Sequence, residues 1–135
     1  RLWNRYNFGN LVSVMTLDTR LSGRDRQLDL GAALRNGPDG LKAFASGEWQ
    51  NPARTLLGPE QEAWFAAEVA ASVKAGQRWQ LIAQQVVMGD LFTPRDAAGW
   101  LAPNADRRAV AAVKGGIAAA QLGGTAQQDM WSGYP

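Results

Sequence analysis

The chain has 135 residues, a formal net charge of +2, no cysteine and no histidine. Disulfides, thiolate or imidazole metal sites and any Ser-His or Cys-His nucleophile pair are therefore impossible within it. Its arginines are scattered singly, which leaves no nucleic-acid footprint, and no apolar run approaches the ~20 residues of a membrane span.

The length suffices for one domain with a real core. Neither end resembles an exposed polar linker, so the chain is expected to be part of a larger fold. The first elements expected are strands at 6–8 and 11–18, joined as a hairpin through Gly9-Asn10. The second strand ends in Asp18-Thr19-Arg20. From Ser22 to Pro52 the pattern is irregular, and a long excursion with one helical turn near 40–46 is expected. Any metal held by this chain would need oxygen donors. Asp18, Asp25 and Asp29 come nearest to a cluster, without the glycine turn and terminal glutamate of a calcium loop.

A helix over 59–75 carries the clearest signals. Pro59 opens it, Glu60 and Glu62 occupy its positive end, and Gly76 follows it. Phe65, Val69 and Val73 form an apolar stripe with Trp64 beside it, which predicts that this face packs on the sheet. Trp79 to Met88 reads as a buried strand over 79–87, with Trp64 and Trp79 packing helix on strand. A second helix is expected over 106–122. Its Gly115-Gly116 pair costs about 1 kcal/mol per glycine and implies close packing against a neighbour.

The paired amides Gln84-Gln85 stand at the end of the apolar run, where something polar must satisfy them. Backbone, ordered water or an active site could do so. Arg20, just past a strand end, could grip a phosphoryl oxygen or pair with Asp18 or a loop carboxylate. Arg24 and Arg26 flank Asp25 in a loop where solvated ion pairing is the expected role.

Five segments in order resemble the PhoD-like alkaline phosphatases and phosphodiesterases, of the metallophosphoesterase group. They are Tyr6-Asn7-Phe8-Gly9-Asn10-Leu11, Leu17-Asp18-Thr19-Arg20, Leu56-Leu57-Gly58-Pro59-Glu60-Gln61-Glu62-Ala63-Trp64, Trp79 to Met88, and Asp129-Met130-Trp131-Ser132-Gly133-Tyr134-Pro135. Ser132 stands where the family usually has Asp, and 106–124 matches no family motif, as a branch-specific insertion would.

The resemblance implies an α/β fold, a partial metallophosphoesterase-type sandwich, with residues 1–135 the central part of a single domain incomplete at both ends. It implies metal-dependent hydrolysis of phosphate mono- or diesters, with this segment supplying scaffold and one wall of the site. The metals would be divalent or mixed, calcium and iron among them, with ligands mostly on other segments of the same domain. In many related enzymes a histidine metal ligand ends the equivalent strand. Gln85, or alternatively Gln84, occupies that place here, facing the site and less readily ligating a metal. The isolated segment is expected to be inactive, and the resemblance implies a periplasmic or secreted protein. The competing expectation is a non-catalytic binding or structural module derived from that fold.

Overall fold

The computed structural model describes residues 1–125 and 128–134, so Pro135 of the last motif lies outside the described residues. In chain order the elements are β1 (Asn4–Phe8), β2 (Val12–Thr16), α1 (Leu30–Arg35), α2 (Gly37–Ser46), α3 (Pro59–Lys74), β3 (Trp79–Ala83) and α4 (Arg107–Gln121). Short 3-10 turns occupy Glu48–Gln50, Ala97–Trp100 and Trp131–Gly133. The architecture is α/β, as expected, and it divides into two compact units. Among the described residues no helix is long and apolar enough to cross a membrane.

The first unit, residues 1–26 and 54–86, holds the sheet and α3. β1 and β2 form the expected antiparallel hairpin, and β3 joins β2 in parallel, Val12 opposite Trp79 through Thr16 opposite Ala83. Two readings need correction. The strand expected over 79–87 ends at Ala83, because Gln84 turns its side-chain oxygen onto the Val86 N–H and breaks the ladder. It is also not buried: Trp79 is 67% exposed and Leu81 53%. β3 lies at the edge of the described sheet, and the face it shares with Tyr6, Phe8, Val12 and Val14 carries no covering layer among the described residues.

The opposite face carries Arg5, Asn7, Ser13, Met15 and Gln80, and it meets α3 through hydrogen bonds. Arg5 donates to Asn7, Ser13, Glu68 and Gln77, and Gln80 donates to Ser72. The buried residues of α3 are accordingly Gln61 and Ser72, while Val73 of the expected core stripe is 62% exposed. Phe65 and Val69 of that stripe are half-buried, so the deepest packing is made by polar residues that a hydropathy period does not find. Trp64 is half-buried, its ring centroid 6.4 Å from that of Trp3 and 4.9 Å from the Arg1 guanidinium.

The second unit, residues 27–53 and 87–135, is helical. The excursion expected to hold one helical turn contains both α1 and α2. Asp29 caps α1 through the Ala32 N–H, and Pro38 sits in the first turn of α2. Asp106 caps α4 at the Arg108 and Ala109 N–H groups. The Gly115-Gly116 pair is packed as its cost implied. A Cβ on Gly115 would lie 2.6 Å from Leu34 Cδ1, and one on Gly116 would collide with Thr93.

Candidate functional site

Because β2 and β3 are parallel, their carboxyl ends lie at one edge of the sheet. Leu17 to Ser22 leaves β2 there, and Gln84 to Val86 leaves β3. The first bond past the strands, Leu17 N–H to Ala83 C=O at 2.9 Å, keeps the two exits together.

Four side chains then fix residues 18–22. The Asp18 carboxylate accepts the backbone N–H groups of Arg20 and Leu21 at 3.0 Å each and of Ser22 at 2.7 Å. Gln61, fully buried on α3, accepts the Asp18 N–H at 2.7 Å and donates to the Asp18 carbonyl at 2.8 Å and the Leu57 carbonyl at 3.1 Å. Gln85 turns its Oε1 onto Thr19, accepting the N–H at 2.9 Å and the hydroxyl at 2.6 Å. Arg24 donates to the Thr19 carbonyl at 3.4 Å.

Asp18 is 3% exposed, and that burial by itself would push its carboxyl up. The N–H donors of Arg20, Leu21 and Ser22, with the Ser22 hydroxyl, outweigh burial and hold it below the usual carboxylate range. It is therefore an anion whose oxygens already face donors, and it organises the loop from inside.

Gly23 and Gly58 bring this loop against the start of α3. Their φ angles are +76° and +79°, and a Cβ on Gly58 would lie 2.8 Å from the Gly23 Cα. Only glycine at both positions allows backbone to meet backbone there. Asp25 and Thr55 complete the seam, each N–H reaching an oxygen of the other residue.

The candidates from sequence thus separate. Gln85 and the Asp18-Thr19-Arg20 strand end come together through the Thr19 bonds. Gln84 accepts the Val86 N–H with its side-chain oxygen, inside its own turn. Arg20 is exposed at the sheet edge, its backbone held by Asp18. Gln61 and Thr19 escaped the sequence reading, although both lie in the quoted motifs. A glutamine in the first turn of an amphipathic helix ordinarily reads as a solvated residue.

These groups do not fit a metal. The carbonyl oxygen that Gln85 would lend to a cation already accepts two hydrogen bonds, and the Asp18 oxygens are committed to backbone donors. No cluster of three or more His, Cys, Asp or Glu side chains occurs among the described residues.

A family model described as PhoD-like phosphatase matches residues 1–135. The chain belongs to that family. Alkaline phosphatase D of Bacillus subtilis (strain 168) is 38% identical to this PhoD-like chain over 86 residues, 64% of the chain and 12% of that relative. The chain thus matches only a small part of its relative's length. No solved structure gives a significant match. Membership places this PhoD-like segment in a family of phosphoester hydrolases.

Proposed function

We propose that residues 1–135 are the central part of a PhoD-like domain that hydrolyses phosphate mono- or diesters, with residues 18–22 forming one wall of its active site. One observation carries this reading. Gln61 from α3 and Gln85 from beyond β3 clasp the same strand end and leave Arg20 exposed at the carboxyl ends of two parallel strands. Such strand ends are where open α/β sheets gather their binding groups. A guanidinium held there can offer two N–H donors to two phosphoryl oxygens at once.

In this reading Arg20 binds and orients the phosphoryl group, and Asp18, Gln61 and Gln85 position it. The metals that the resemblance implies, calcium and iron among them, would find their donors on other segments of the domain. The uncovered sheet face of Tyr6, Phe8, Trp79 and Leu81 supports such segments, since apolar patches of this kind usually mark an interface. Export to the periplasm or outside the cell belongs to the same reading.

Turnover of p-nitrophenyl phosphate and bis(p-nitrophenyl) phosphate, with calcium and ferric ions supplied, tests it. The chain alone should give no rate above a matched blank. A longer PhoD-like protein carrying these residues should turn over, and Arg20→Ala should raise its KM at least tenfold, the size of one lost charge-assisted bond pair. Metal-dependent turnover by the chain alone would overturn the division of labour. An unchanged KM in Arg20→Ala would overturn the role of Arg20. A longer protein that binds phosphate esters without turnover would establish the non-catalytic module instead.

A further inference from the structure

The groove between α1, α2 and α4 takes no part in that chemistry. It encloses about 790 Å³, within the ~300–1,000 Å³ typical of small-ligand sites. Leu34, Leu41 and Leu122 supply its apolar surface, together with alanines of α4. Gly115 lies between them, and its missing Cβ lets α4 approach Leu34 closely.

The rim has one sign. Arg35, Lys42 and Lys114 line it, and no Asp or Glu does. Arg35 is paired with Asp29 at 3.5 Å, whereas Lys42 and Lys114 have no ion-pair partner among the described residues. The lining holds no aromatic ring and little polar surface, so nothing in it would orient a flat heterocycle. An aliphatic floor beneath unpaired cations suits a methylene chain ending in an anion.

We infer that this groove binds a single-chain anionic amphiphile, specifically a fatty-acid carboxylate, with its chain along the floor and its head between Lys42 and Lys114. The inference is independent of the phosphoesterase reading.

Calorimetric titration of the 135-residue protein with octanoate, decanoate and laurate, each below its micellar concentration, tests it. Saturable 1:1 binding should tighten along the series, by up to roughly fourfold per added methylene. Neutral monolaurin should bind about tenfold more weakly than laurate. The double variant Lys42→Glu with Lys114→Glu should lose that preference. Ala111→Trp, at an exposed lining position, should block binding while far-UV circular dichroism stays unchanged. Should Ala111→Trp disturb the fold, the charge variant decides alone, because both lysines are exposed. Absence of saturable binding, affinity independent of chain length, or equal affinity for laurate and monolaurin would each overturn the proposal. So would a preference for an acidic amphipathic peptide over every fatty acid.

Discussion

Gln61 closes both backbone groups of Asp18, accepting its N–H at 2.7 Å and donating to its carbonyl at 2.8 Å across 43 residues of sequence. One side chain thereby does what a neighbouring strand would do, at a point where the ladder has ended. With Gln61 fully buried and Asp18 3% exposed, bulk solvent does not reach those bonds in the native fold. Gln61→Ala should cost about 2–4 kcal/mol, since it strands two buried backbone groups. Urea unfolding of the two proteins measures it. Gln61→Glu should cost at least as much at neutral pH, because it removes the donor and buries an anion near the Asp18 carboxylate.

Thr19 and Gln85 form the second half of the clasp, and their contribution can be separated from that of Gln61. Thr19→Val removes the hydroxyl bond and leaves the backbone bond to Gln85 in place. Gln85→Ala removes both. A double-mutant cycle between them should give a coupling of roughly 0.5–1.5 kcal/mol. Amide hydrogen exchange adds a local readout. The Thr19 N–H should exchange faster in Gln85→Ala and remain protected in Thr19→Val.

Asp18 makes the loop sensitive to acid. Its folded pKa is depressed, so its stabilisation is fully present above the unfolded value near ~4 and is lost as pH falls through the lower, folded value. Stability measured between pH 7 and pH 5 should therefore owe no slope to Asp18. Below about pH 4 it should fall more steeply in the native protein than in Asp18→Asn. Equal slopes for the two proteins across the acid range would show that the carboxylate does not stabilise the loop.

The sequence disclosed these elements unevenly, for physical reasons. α3 was legible because its ends carry chemical punctuation, Pro59 and Gly76, whereas the Asp106 cap of α4 is a finding of the structure. The β1–β2 hairpin followed from β-branched runs and turn residues, whereas the parallel pairing of β3 with β2 is a finding of the structure. The buried face of α3 was misread because Arg5, Gln77, Gln80 and Ser72 form a hydrogen-bonded seam under it, and hydropathy cannot see a polar seam. The exposure of Trp79 was invisible for a related reason: apolar content records what a strand is able to bury, not what covers it. In the candidate site, the amide pair drew notice because two amides ending an apolar run need partners. Gln61 did not, since its partner lies 43 residues away in the chain.

The glycines at the loop seam give the sharpest contrast between backbone conformation and backbone contact. Gly58 and Gly76 flank α3 with nearly equal positive φ, +79° and +73°, but Gly58 with its ψ of 153° lies in a region open essentially to glycine alone, so alanine already costs more there on conformation. Their surroundings differ. A Cβ on Gly76 meets nothing within 4 Å, whereas one on Gly58 lies 2.8 Å from the Gly23 Cα and 3.1 Å from the Gly23 carbonyl oxygen. Those are backbone atoms that cannot rotate away, and moving them shifts the segment that Asp18 and Gln61 hold. Gly76→Ala should cost about 1 kcal/mol, and Gly58→Ala at least 2 kcal/mol more, through its glycine-only backbone conformation and the forced backbone shift together. Thermal unfolding of the two variants measures the difference. Gly58→Ala should also speed exchange at the Arg20, Leu21 and Ser22 amides, which Gly76→Ala should leave protected. Equal costs and equal exchange would mean that the loop does not depend on the Gly23–Gly58 contact for its position.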